Sequence, residues 1–221
     1  MMLEKDKLLS RLPQRIKRLL LENTVQTVDL GRSGTTVLRL GDTAYLKISR
    51  DPLALYAEKE RDLWLENRLS APQVLDFEEY PKEDEKTPKF AFLLTSAVKG
   101  KPLCDSEYLK DPDKLTTYLA EAMSEFHALS FKDCPFFAER SEKSEGGVVC
   151  HGDFCLPNIL YDGKAFGFID LGDMGRGDPW LDYAWCLWSL DYNLKTSRYR
   201  KLMLEKLGID FDEACYLKYT E

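Results

Sequence analysis

Apolar residues along the chain fall into two regimes, short β-prone runs first and longer helical stretches afterwards. Near the start, Ile16, Leu19 and Leu20 share one face of a helical wheel and Arg15, Lys17 and Arg18 the other, which predicts an amphipathic helix. β-prone runs follow at 25–30, 35–40 and 45–48. Gly31, Ser33 and Gly34 separate the first two, and Gly41-Asp42 separates the next pair, a hairpin signal between apolar runs. From 53 to 69 the pattern is helical, with Leu55, Leu63, Trp64 and Leu65 set among Glu and Arg behind an Asp51-Pro52 start signal. Further strands are predicted at 74–77 and 90–95. The charged segment between them, with its two prolines, predicts an exposed hairpin loop.

After Gly100-Lys101-Pro102 the character changes. Leu115, Leu119, Ala122, Met123 and Phe126 recur at spacings of three and four, predicting a helix over 115–129 with one buried face. A polar stretch without periodicity precedes short apolar strands at 148–150 and 166–169, which bracket a loop. The run 180–190 is nearly all apolar and predicts a core helix, and 199–207 predicts another, closed by Gly208. The expected fold is α+β and bilobal, with a β-rich lobe over 1–96, a mainly helical lobe over 97–221 and a join near 96–101.

Composition narrows the partners. A formal charge of −7 argues against a nucleic-acid backbone and fits a cationic small molecule better. No apolar run approaches the roughly 18–20 residues of a membrane helix, and the N-terminus shows no secretory signal. No membrane contact and no obligate protein partner are therefore expected. The six cysteines are scattered without a C-x-x-C spacing, so reduced, mostly buried thiols are expected in place of zinc or disulfides. The cytoplasm is the expected compartment.

One segment carries most of the chemistry. Residues 150–170 read CHGDFCLPNILYDGKAFGFID, with His-x-Asp, then Asn five residues later, then Ile-Asp at the end of an apolar strand. This is the layout of a kinase catalytic loop and its metal-binding Asp, with HGD where protein kinases have HRD. A carboxylate must reach the acceptor hydroxyl to orient it and take its proton, which assigns Asp153 as the base. An amide oxygen and a second carboxylate must converge on Mg2+, a metal that prefers oxygen ligands, which assigns Asn158 and Asp170. The bland reading of the loop is a turn rich in capping residues.

Beyond the local chemistry, HGDFCLPN at 151–158 and GFIDLGDMGRGDPWLDYAW at 167–185 closely resemble the aminoglycoside 3'-phosphotransferases. Tyr45-Leu46-Lys47, EKERDLWLENRL at 58–69 and PQVLDFE at 72–78 resemble the same family, so the likeness covers nearly the whole chain in order. It implies a protein-kinase-like fold with ATP in the interlobe cleft. By resemblance, Lys47 contacts the α/β-phosphates and pairs with Glu58, with Glu60 as runner-up. The loop 31–34 lies over the phosphates, with Ser33 approaching them; Tyr45 stacks on the base, and the backbone of Ser96, Ala97 and Val98 meets the base edge. Each has a plainer alternative: Lys47 and Glu58 as solvated charges, the glycines as a tight turn, Tyr45 as a strand aromatic. His151 is expected to hold the loop through its ring, His127 to be a packed or capping histidine, and Asp178 and Asp182 to accept loop amides.

Three departures from the family pattern bear on the acceptor. The acidic, mostly helical insertion that grips the drug's ammonium groups is essentially absent, because only PFFAERSEKSEGGVVC separates Cys134 from His151. Asp173 stands where the family typically has arginine, with Arg176 close enough in sequence to compensate in part. The acidic-aromatic C-terminus is replaced by LKYTE. The expected activity is ATP- and Mg2+-dependent phosphorylation of a hydroxyl on an aminoglycoside or related cationic small molecule. Its rivals are a kinase for a choline-like amine or sugar, and a non-catalytic nucleotide-binding relative.

Overall fold

The computed structural model describes residues 12–28, 34–80, 89–139, 141 and 147–220. The chain divides into two compact units, Met1–Leu63 with Pro72–Ala97, and Trp64–Ala71 with Val98–Glu221. The fold is the mixed α+β type that the sequence predicts.

The first unit is a five-stranded antiparallel sheet in the order β1-β2-β3-β5-β4. Its strands are β1 (Val25–Val28), β2 (Thr36–Leu40), β3 (Ala44–Ser49), β4 (Val74–Tyr80) and β5 (Phe90–Ser96). Helix α1 (Gln14–Glu22) places Ile16 in a cluster with Leu38, Leu40, Leu46, Ile48, Phe90, Phe92 and Leu94. That is the predicted amphipathic face. Its solvent side is less simple, because Arg15 reaches Asp76 at 2.6 Å and Glu78 at 2.7 Å on β4. Helix α2 (Pro52–Leu65) contributes Leu55 to a separate cluster with Ala91 and Leu93. Asp51 starts it, its Oδ1 accepting from the amides of Leu53 at 3.1 Å and Ala54 at 3.3 Å. The helix stops at Leu65, four residues before the predicted end, and Asn67 lies in the left-handed region at φ 63°.

In the second unit, α3 (Ser106–Leu109) and α4 (Pro112–His127) come first. Asp111-Pro112 repeats the start signal of α2, with the Asp111 carboxylate accepting the Lys114 amide at 3.1 Å. Strand β6 (Lys101–Pro102) pairs with β8 (Ile159–Tyr161), which pairs with β9 (Phe166–Phe168). Strand β7 (Val148–Cys150) pairs with β10 (Gly175–Gly177). Helices α5 (Trp180–Leu194), α6 (Arg200–Lys206) and α7 (Glu213–Thr220) complete the unit. One core joins α4, the loop strands and α5–α7 through Leu119, Met123, Phe126, Phe154, Phe168, Leu187 and Tyr219. Among the described residues, no helix is long and apolar enough to cross a membrane.

Candidate active site

Among the described residues, the first unit holds five of the predicted site residues. Alternation along β3 sends Leu46 and Ile48 into the sheet core and puts Tyr45 and Lys47 on the opposite face. The register sets Lys47 opposite Leu93, whose cluster includes Leu55 of α2. Lys47 Nζ meets Glu58 Oε1 at 2.6 Å, with the side chains 18% and 8% exposed. A carboxylate buried this deeply needs a cationic partner to offset its lost hydration, so the pair is more than two surface charges. Glu60 pairs with its neighbour Lys59 at 2.8 Å instead. Tyr45 is partly exposed. The Ser96 N–H donates to Gln73 O at 2.9 Å and the Ala97 N–H to Thr43 O at 2.8 Å. Those two donors are spent inside the unit. Ser33 lies outside the described residues.

The second unit holds Val98, Asp153, Asn158 and Asp170. Val98 packs on Gly167 so closely that a Cβ there would come within 2.4 Å of its Cγ1. The loop leaves β7 at Cys150 and turns at Gly152, whose φ of +88° and approach to Asp173 O (2.6 Å from an added Cβ) admit only glycine. Asp182, fully buried in the first turn of α5, accepts the loop amides. Its Oδ2 takes the His151 N–H at 2.8 Å and its Oδ1 the Gly152 N–H at 2.9 Å. Oδ2 also accepts from His127 Nε2 at 2.9 Å. Helix geometry favours a negative group in the first turn, near the positive end of the helix dipole.

Beyond the turn, the Asn158 side chain holds the Asp153 carboxylate. Asn158 Nδ2 donates to Asp153 Oδ2 at 2.9 Å and to Asp153 O at 3.0 Å. With both amide protons directed at Asp153, the group offers only its oxygen to anything else. The Ile169 N–H donates to Asn158 O at 3.0 Å, which ties the residue before Asp170 to Asn158. Asp170 is exposed and adopts φ +62°. Such a conformation in a non-glycine residue costs on the order of 1–2 kcal/mol and is retained where a side chain must point a particular way.

Neighbouring residues depart from expectation in informative ways. Among the described residues, the Asp178 side chain takes no amide of the loop: it starts α5 by accepting the Trp180 N–H at 3.0 Å, and accepts the Tyr219 hydroxyl at 3.0 Å. His127, read from sequence as a packed or capping residue, is a third support of Asp182; no local pattern signals a partner 55 residues away. His151 is fully buried among the rings of Phe126, Phe154 and Phe168, with Nδ1 3.4 Å from the Asp153 N–H. Arg176 lies over the rings of Phe137 at 4.3 Å and Phe131 at 5.5 Å. Burial pushes the thiols of Cys150, Cys155 and Cys186 far above their ordinary range; the nearby Asp182 adds to this for Cys150, and Asp153 for Cys155. They stay protonated and chemically quiet.

The chain matches the phosphotransferase enzyme family over residues 24–146 and 139–217. An aminoglycoside 3'-phosphotransferase of Enterococcus faecalis is 29% identical over 227 residues, covering 83% of this chain and 82% of the relative. A streptomycin 3''-kinase of Streptomyces griseus is 28% identical over 211 residues, covering 71% and 74%. The solved structure of an aminoglycoside phosphotransferase from Streptomyces rimosus superposes with a TM-score of 0.72 at 25% identity, covering 94% of this chain and 97% of that one. The same enzyme in complex with ADP and streptomycin gives a TM-score of 0.67 at 26% identity, covering 86% and 92%.

Proposed function

The chain belongs to the phosphotransferase enzyme family, and from that premise we propose that it transfers the γ-phosphoryl group of ATP to a hydroxyl of an aminoglycoside or a related cationic small molecule. The observation that carries the reading is the fixed carboxylate of Asp153, held from one side by Asn158 and mounted on a loop whose amides are anchored by Asp182. Phosphoryl transfer asks little of a protein beyond position and charge, and this loop supplies position. In the reaction, Asp153 accepts the acceptor's hydroxyl proton as the oxygen bonds to the γ-phosphorus. The bond from that phosphorus to the bridging oxygen breaks, and ADP leaves with the electron pair. Lys47, held by Glu58, is the residue assigned to the phosphates.

The donor set fits magnesium. Asn158 can present only oxygen, Asp170 adds a carboxylate, and Mg2+ is commonly held by one or two such groups with phosphates completing its shell. Among the described residues, no group of three or more His, Cys, Asp or Glu converges as a metal cage. When bound, the ion neutralises charge on the phosphates.

The net charge of −7 and the aminoglycosides named for the relatives support a cationic acceptor. The short 135–150 segment, where the family carries an acidic insertion, favours a second reading in which the acceptor is a smaller amine or sugar. An ATP-consumption screen over aminoglycosides, amino alcohols and sugars tests both. Turnover with an aminoglycoside supports the first, and turnover confined to amino alcohols or sugars supports the second. Absence of acceptor-dependent turnover across the panel sinks both and leaves a nucleotide-binding protein.

A further inference from the structure

Leu156–Asn158 is a short 3-10 turn, and the residue that caps it, Cys155, gives it no side-chain hydrogen bond. A turn of this kind begins with main-chain N–H groups that have no partner inside it, and burying one alone is costly. Leu156 is fully buried. Its N–H donates at 3.0 Å to Ser189 Oγ, on α5. One turn earlier on the same helix, the Trp185 carbonyl faces the Cys155 thiol, Sγ to O 3.8 Å. Ser189 is 2% exposed, and Asn193 braces it by donating from Nδ2 to its carbonyl at 2.7 Å. Helix α5 therefore grips the loop twice: Asp182 takes the amides before Asp153, and Ser189, about two turns on, takes the amide before Asn158.

We propose that Ser189 is a positioning residue for phosphoryl transfer, its hydroxyl oxygen holding the turn that sets Asn158 against Asp153 and the metal. The proposal rests on the reading of Asn158 as a magnesium ligand. Asn158 is bonded through its main-chain N–H to Cys155 O at 2.9 Å and through Nδ2 to the Asp153 carboxylate. A turn that slides on α5 moves the metal ligand and the base together. Ser189 itself reaches neither group, so its influence passes through Leu156.

The test uses Ser189→Ala and Ser189→Thr, with Leu190→Val as a control that removes buried volume from the same helix without removing a hydrogen bond. Two quantities are read: hydrogen exchange at the Leu156 amide in the nucleotide-free protein, and the Mg2+ concentration needed for ATP binding, followed by calorimetry. In Ser189→Ala, Leu156 exchanges roughly 2- to 12-fold faster, the range set by one net hydrogen bond, and the half-saturating Mg2+ rises severalfold. Ser189→Thr keeps the oxygen and restores both; Leu190→Val changes neither. Exchange at Leu156 or a Mg2+ requirement that is unaltered in Ser189→Ala overturns the proposal. An Asn158→Ala protein with wild-type Mg2+ dependence removes the metal-ligand reading instead, and the role of Ser189 falls with it.

Discussion

Replacing Asp182 by Ala removes the acceptor for two buried main-chain donors, the amides of His151 and Gly152, and for His127 Nε2. The flanking His151 is fully buried and Gly152 is buried too, so water reaches these amides only if the loop moves. An orphaned buried donor costs about 1–3 kcal/mol, so two cost about 2–6 kcal/mol, before any cavity left by the lost carboxylate. His127 adds less, because 10% of its side chain remains exposed and water can replace the bond. Against a typical stability of about 5–15 kcal/mol this is a large fraction. In a chain of this size it corresponds to roughly 4–24 °C in melting temperature. Denaturant and thermal unfolding by circular dichroism measure the loss, and hydrogen exchange at His151 and Gly152 localises it. Asp182→Asn is the sharper variant: it keeps one acceptor oxygen and turns an NH2 group towards a donor, so its cost falls below that of Asp182→Ala without vanishing. An Asp182→Ala protein within about 0.5 kcal/mol of wild type, the range of an unremarkable surface change, refutes the claim that this carboxylate holds the loop.

Three further outcomes are expected. Gly152→Ala forces a side chain into a left-handed φ and to 2.6 Å from Asp173 O, and unfolding measurements should show a loss of about 1–3 kcal/mol; a neutral result contradicts the close packing. Lys47→Met leaves Glu58 buried without its cation and should cost about 3–5 kcal/mol, whereas Glu58→Gln, which keeps a hydrogen-bonding oxygen, should cost less; equal losses measured by chemical denaturation would show that the ion pair is incidental. The Cys150, Cys155 and Cys186 thiols titrate far above their ordinary value of 9.0 when folded, so the unfolded chain ionises first as pH rises past that value. Their contribution is fully present below pH 9 and declines above it. Stability should therefore fall with rising alkalinity, and the three thiols should resist a thiol reagent at pH 8 until denaturant is added; fast labelling of the native protein contradicts their burial.

Periodicity or a continuous apolar run made the larger elements legible in one dimension. The helix starting at Pro112 and strand β3 show a one-face repeat, while the helix starting at Trp180 and strand β5 are apolar almost throughout. What stayed hidden depends on contacts distant in sequence. Strand β10 is Gly-Arg-Gly and has no β-prone residue; it forms because Gly175 lets the Phe137 backbone approach to 2.4 Å of where a Cβ would stand. Helix α7 is eight residues long, with Tyr216 and Tyr219 the buried residues that hold it, and Tyr219 bonds to Asp178, 41 residues earlier. The segment Trp64–Ala71 joins the second unit through Trp64 Nε1, which donates to Asp133 O at 3.2 Å, and Ser70 O, which accepts the Phe168 N–H at 2.9 Å. At the site, the order His-x-Asp, Asn, Asp pointed to the candidate residues, but not to the contacts that hold their loop. The roles of His127 and Ser189, and the difference between Asp178 and Asp182, follow only from which atoms face each other in the folded chain.

The central claim is that Asp153 takes the proton of an acceptor hydroxyl during phosphoryl transfer from ATP. Its most direct test follows the γ-phosphate of labelled ATP onto the best acceptor in a single turnover, comparing wild type with Asp153→Asn, while calorimetry monitors Mg–ATP binding to both. Loss of labelled acceptor by orders of magnitude, with nucleotide affinity retained, is the predicted result. Labelled acceptor formed by Asp153→Asn at the wild-type rate contradicts the account.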